Sequence, residues 1–201
     1  FGYMKRLSNA EEQKRSGRSG VYYHLSYWGP PMNFLWINTN PPVQMYTELK
    51  RAYDTTADRI WLANVGDIKP AENALSLFLD MAWDIDAFTV ENVGFYYANT
   101  LSKYFGEQHR DALQHIFDEY FSLAFARKPE HMQHHLEQHF AEDNYHEAER
   151  RTARYAAISA EADAIYAQLD EDSKPGFFQL VYYPVKGAAL LNIAFLEAQR
   201  N

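Results

Sequence analysis

The chain has 201 residues, no cysteine and a formal charge of −8 at pH 7. A disulfide framework and thiolate chemistry are excluded, and an acidic balance with no basic stripe argues against nucleic acid as a partner. No apolar run approaches the roughly 18 residues that suggest a membrane span, no signal peptide is visible, and Phe1 in place of a methionine reads as the start of a processed or excised piece.

Charge and aromatic residues are unevenly spread. Residues 1–85 carry nine basic and nine acidic side chains, whereas 86–201 carry ten and 18. All four tryptophans lie in the first part and seven of the eight histidines in the second. This shift predicts two regions, 1–85 and 86–201, with different roles.

In chain order, Val21–Trp28 reads as a strand rich in aromatic and β-branched residues. A loop with Gly29-Pro30-Pro31 and Asn38-Thr39-Asn40-Pro41-Pro42 follows, then a helix over 43–54 with Met45, Leu49, Ala52 and Tyr53 at helical spacing. Arg59–Val65 reads as a second strand, apolar on both faces as in a parallel sheet covered by helices. Gly66-Asp67 turns the chain, and Pro70 opens a helix to about Ala82. This β-loop-α-β-loop-α order fits two units of a right-handed βαβ array. Two strands make a marginal sheet, so the excised start favours the end of a (β/α)₈ barrel over a small open sheet.

The second region reads as all-helical. Thr89 is an N-cap for a helix to Phe105, ended by Gly106. His109–Phe125 is the next helix. A third starts near Asn144, with Ala148, Thr152, Tyr155, Ser159, Ala162, Tyr166 and Leu169 on one stripe. A fourth spans 174–198, with a kink predicted at Pro184. The connection after Phe125 has room for a short helix over 131–139. The fold class is α/β plus all-α: barrel units, then a four-helix-bundle-like domain.

Several side chains invite chemistry. His24 shares a strand face with Tyr22 and Ser26 and falls near the strand's C-terminal end, where ligand groups gather in parallel α/β folds. It reads as an anion-binding histidine or as a satisfied core one. Tyr27 has the opposite parity and joins it only where the strand has ended. Asn64 and Asp67 are placed for substrate hydroxyls or for turn chemistry beside Gly66. Arg15 and Arg18 suit a bidentate carboxylate grip or a solvated loop. His131, His134, His135 and His139 have helical metal spacing but lack a completing Glu, so an exposed connection is the simpler reading. Tyr22, Tyr23, Trp28, Phe34 and Trp36 suit sugar stacking or core packing.

Lys14-Arg15-Ser16-Gly17, Val21-Tyr22-Tyr23-His24, Tyr27, Trp36-Ile37-Asn38-Thr39 and Asn64-Val65-Gly66-Asp67-Ile68-Lys69-Pro70 together resemble glycoside hydrolase family 115. The likeness continues through Phe78-Leu79-Asp80, Asn144-Tyr145 to Glu149, Phe177–Val181 and Tyr183-Pro184-Val185-Lys186. It implies an inverting α-glucuronidase acting on xylan and related polysaccharides, with no cofactor. By resemblance the chain supplies the last two barrel units and the helical domain, while the catalytic carboxylates lie upstream and are absent from it. His24 and Tyr27 match positions lining the uronic acid site; Arg15, Asn64 and Asp67 match motifs too. Arg18 stands where the family has a second glycine, and Ser26-Tyr27-Trp28 replaces Asp-Tyr-Val. The implied partners are a glycan bearing glucuronic acid, the rest of the barrel and a second copy as a homodimer, in an extracellular or periplasmic setting. The rival reading is a non-enzymatic helical interaction module that serves dimerisation.

Overall fold

In the computed structural model, which describes residues 2–26, 37–132 and 140–200, the chain is mostly helical with one small sheet. Two units form: one from the described residues of 1–29 and 40–96, the other from those of 30–39 and 97–201. The loop leaving the first strand therefore contributes residues 37–39 to the second unit. Among the described residues no helix is long and apolar enough to cross a membrane.

The first unit begins with α1 (Ala10–Gln13), closed by a capping box in which Asn9 and Glu12 serve each other's backbone N–H. Strands β1 (Val21–His24) and β2 (Trp61–Asn64) pair in parallel, with Val21 opposite Trp61 and His24 opposite Asn64. Gly20 is needed at the entry to β1, because an added Cβ would sit 2.4 Å from the Ile60 carbonyl oxygen. The crossover between the strands is α2 (Pro42–Asp54), whose Met45, Leu49 and Ala52 are buried as their spacing predicts. After a 3₁₀ turn at Lys69–Ala71 comes α3 (Glu72–Trp83), which buries Leu77, Phe78 and Met81.

Strand β2 departs from its predicted pattern. Among the described residues, helices cover only the sheet face that carries the buried Val21 and Tyr23. On the other face Tyr22 is 54% and Leu62 56% exposed, with His24 and Asn64 half-buried beside them. An apolar run that looked buried on both sides thus belongs to a sheet with one open side.

Thr89 caps a helix as predicted, but a short one, α4 (Val90–Val93). Gly94 and Phe95 interrupt it before α5 (Tyr96–Phe105), and Gly106 ends α5 at φ +114°. In the second unit α6 (Arg110–Ala126) packs on α7 (Glu147–Gln168), which packs on α9 (Tyr183–Arg200). Tyr97 of α5 meets Phe117 of α6 edge-on at 5.2 Å. The last helical stretch opens with α8 (Lys174–Phe177) and passes through a π-helical turn, Phe178–Tyr182, before α9. Pro184 lacks an N–H to return to the preceding turn, and the wider turn ahead of it takes up the mismatch.

Candidate functional site

Parallel pairing brings the C-terminal ends of β1 and β2 together, and the period of two puts Tyr22, His24, Leu62 and Asn64 on one face. Because His24 and Asn64 are register partners, two polar side chains end adjacent strands side by side. Asn64 Nδ2 donates to Tyr22 Oη at 2.8 Å, and the Tyr22 and His24 rings lie 4.8 Å apart at 58°. The Asn64 carbonyl accepts from the N–H of Leu25 at 2.9 Å and of Ser26 at 3.3 Å, which closes the ladder just past His24. Desolvation holds the His24 imidazole below its ordinary pKa. At neutral pH it is an uncharged group able to donate from one ring nitrogen and accept at the other.

Behind this face, Asn40 is buried in the same unit and shares its Nδ2 between the carbonyls of His24 and Leu25, at 3.5 Å each. Tyr23, on the covered face, donates to the Gly2 carbonyl at 3.0 Å, and burial pushes its phenol pKa up.

The other residues that the sequence singles out fall elsewhere. Asp67 is exposed in the turn after β2, next to Gly66 at φ +60°. Arg15 is exposed at the opposite end of the sheet: its carbonyl accepts from Arg18, which pairs with Asp58 at 2.8 Å, while Ser19 bonds Thr56 and Arg59 ahead of both strands. The structure therefore gathers His24 and Asn64, places Asp67 beyond them, and does not bring Arg15 to that end. Tyr27, Trp28, Phe34 and Trp36 lie outside the described residues, as do His134, His135 and His139. Among the described residues no group of three or more His, Asp or Glu side chains is placed to hold a metal ion. His131 is exposed, but the exposed connection expected around it begins buried, at Pro129, Glu130 and Met132.

Sequence reasoning misses Tyr22 as the partner of Asn64, although the shared parity of Tyr22 and His24 is the signal for it. Nothing local marks Asn40, whose partners lie 15 and 16 residues away.

The profile of glycosyl hydrolase family 115 matches residues 1–131, and no curated protein matches the sequence. Eleven solved chains match. One is a family 115 4-O-methyl-α-glucuronidase with specificity for decorated arabinogalactans. It is 33% identical, with a TM-score of 0.88 over 98% of this chain, and this chain spans 27% of its length. A parallel strand pair with polar groups at its C-terminal end, continued by helices, is thus the architecture of part of a glycoside hydrolase. The chain belongs to glycosyl hydrolase family 115.

Proposed function

We propose that this chain is part of an inverting α-glucuronidase that removes (4-O-methyl)glucuronic acid side chains from xylan or a related plant polysaccharide. Residues 1–85 form the last two units of its (β/α)₈ barrel and 86–201 a four-helix-bundle-like domain. The reading is carried by one observation: His24 and Asn64 stand in register at the C-terminal ends of neighbouring parallel strands, on the face that no described helix covers. In a barrel that face is the interior and that end is the mouth where substrates bind.

His24 and Tyr27 hold the uronic acid in this scheme, and Asn64 and Asp67 address sugar hydroxyls. Such glycosidases need two carboxyl groups about the scissile bond. By family likeness both lie outside this chain, so the chain alone hydrolyses nothing and its side chains bind and orient.

A uronate beside the imidazole favours the charged ring. Apparent affinity then strengthens as pH falls through the lowered pKa of His24 and weakens above it. The test uses the full-length enzyme and its His24→Ala variant on glucuronoxylan, decorated xylo-oligosaccharides and decorated arabinogalactan, with free uronic acid quantified. The expected loss in the variant is about a hundredfold or more. Equal release by both proteins overturns the role of His24, and no release from any of these glycans overturns the activity.

A further inference from the structure

The second unit holds a cavity that the polar groups at the strand ends do not account for. It measures about 370 Å³, within the range of small-molecule sites. Three arginines from one stretch of α7, Arg150, Arg151 and Arg154, line it. Asn144, Tyr145 and Glu147 line it as well, so the whole cavity belongs to one unit. The stretch from Asn144 to Glu149 is also one that the sequence analysis singles out and the strand ends leave unused.

Charge decides what the cavity takes. Arg151 is buried, yet its three acceptors, the Asn192 side chain and the carbonyls of Leu123 and Arg127, are all neutral. Among the described residues no carboxylate forms an ion pair with it. Buried charges are ordinarily paired, because neutral hydrogen bonds offset only part of their desolvation. Arg150 is exposed, and its guanidinium has no hydrogen-bond or ion-pair partner among the described residues. Arg154, by contrast, is paired with Glu119 at 2.5 Å. The one carboxylate on the wall is Glu147, whose Oε2 accepts from the Ala141 N–H at 3.0 Å. Two unmatched cations against one carboxylate leave a surplus of one positive charge, in a chain whose net charge is −8. That surplus suits a single carboxylate better than a doubly charged phosphate. An unpaired guanidinium offers the parallel N–H pair that grips a carboxylate.

The rest of the wall suits a sugar ring. Tyr145 is 86% exposed, and it and His146 adopt φ of +58° and +50° in succession. That left-handed pair is unfavourable for non-glycine residues, and it holds the phenol ring at the cavity instead of in the core. A flat aromatic face suits the C–H surface of a pyranose. The Asn144 amide, without a side-chain partner among the described residues, supplies a donor and an acceptor for hydroxyls.

We infer that this cavity, at the start of α7, is a carbohydrate site of the second unit's own and binds a uronate. Arg150 takes the carboxylate, Tyr145 the ring face and Asn144 a hydroxyl, while Arg151 supplies positive charge from behind. The choice of a uronate among ring carboxylates rests on the proposed activity; the carboxylate grip does not.

The test reads single side chains in the full-length enzyme, so binding elsewhere does not obscure it. Phenylglyoxal modification of Arg150 is quantified by mass spectrometry against Arg110, an exposed arginine on α6, with glucuronate, acetate or glucose present. Glucuronate slows modification of Arg150 about tenfold and leaves Arg110 unchanged, as a charge-assisted grip requires. Acetate at the same concentration slows it less than about twofold and glucose not at all, since each offers half of the recognition. Tyr145→Asn, which suits a left-handed backbone and deletes the ring, raises the half-protecting glucuronate concentration about fivefold. Hydrogen–deuterium exchange over 140–150 gives a second readout: glucuronate slows it about threefold in the parent and leaves Arg150→Gln unaffected. Equal modification of Arg150 with and without glucuronate overturns the site, as does a glucuronate effect on exchange that survives Arg150→Gln. Equal protection by acetate, or none lost in Tyr145→Asn, overturns the sugar class. Both readouts are taken without turnover, so an enzyme that releases no uronic acid refutes the proposed activity and leaves Arg150 to decide the site.

Discussion

The two units differ in where they keep their most conspicuous polar groups. The first leaves Tyr22, His24, Leu62 and Asn64 on an open sheet face and buries mainly apolar side chains against α2 and α3. The second buries a full cation. Arg151, 4% exposed, donates from Nε to Asn192 Oδ1 at 2.6 Å, from Nη1 to the Leu123 carbonyl at 2.8 Å and from Nη2 to the Arg127 carbonyl at 2.9 Å. Its guanidinium also lies 4.6 Å from the Phe140 ring centroid and 5.3 Å from that of Tyr155. The acceptors include carbonyls at the C-terminal end of α6, where the helix dipole favours positive charge. Desolvation lowers the pKa of the guanidinium from its usual value, yet an arginine stays protonated. The second unit has closed its core around a cation, whereas the first, though it buries Asn40 and Glu48, keeps His24 and Asn64 where a ligand or further chain could reach them.

That contrast breaks most directly with a pair of substitutions. Arg151→Ala strips donors from three acceptors, two of them buried, and leaves a cavity, at a cost of roughly 3–5 kcal/mol. Leu62→Ser, on the open face, costs under about 1 kcal/mol in this chain. Urea denaturation of the two variants measures both. A large loss from Leu62→Ser would show that the open face is covered, and a small loss from Arg151→Ala would show that the α6 carbonyls find water instead.

How far these features are legible follows from how local their causes are. The β1 face parity, the α2 stripe, the Thr89 cap and the Gly106 stop each depend on residues within a turn or two, and the sequence pattern marks them. The break at Gly94-Phe95 is not legible, since a lone glycine inside a helical pattern is usually tolerated. Nor is the start of α7 at Glu147, because Tyr145 and His146 both adopt positive φ, which the tyrosine does not announce and the histidine only weakly favours. The buried networks are out of reach for another reason. Arg151 meets Asn192 across 41 residues and Thr39 meets Glu130 across 91, so each side chain reads locally as an ordinary surface polar group.

Backbone strain gives a smaller effect confined to the first unit. Thr56, just past the end of α2, sits at φ +75°, and its buried hydroxyl has no hydrogen-bond partner among the described residues. A β-branched residue is poorly suited to this left-handed position, which glycine usually fills. Thr56→Gly should stabilise the chain by about 1 kcal/mol after the extra entropy of an unfolded glycine is counted. Arg18 is left-handed too, at φ +54°. There Arg18→Gly gives up the ion pair with Asp58, so relief of strain is offset and the net change stays within about 0.5 kcal/mol. Thermal melts of both variants decide; a destabilised Thr56→Gly would show that the threonine methyl packs well enough to outweigh its backbone.

The smallest effect belongs to the second unit's surface. His115 on α6 lies 2.9 Å from both carboxylate oxygens of Glu161 on α7. Its pKa is raised, first by that hydrogen bond, with Glu119 and Asp118 on its own helix adding to the field. A raised pKa means the folded state holds the proton more tightly than the unfolded one. The brace is therefore fully present below the ordinary imidazole value near 6.5 and fades as pH rises through the higher folded value. Both side chains are substantially exposed, so solvent and salt screen the pair and the change in Tm is slight. Melts of the parent and Glu161→Gln from pH 5 to 9 should differ only at the acidic end and converge above it. A constant gap across the range would show that Glu161 braces the helices by packing rather than by charge.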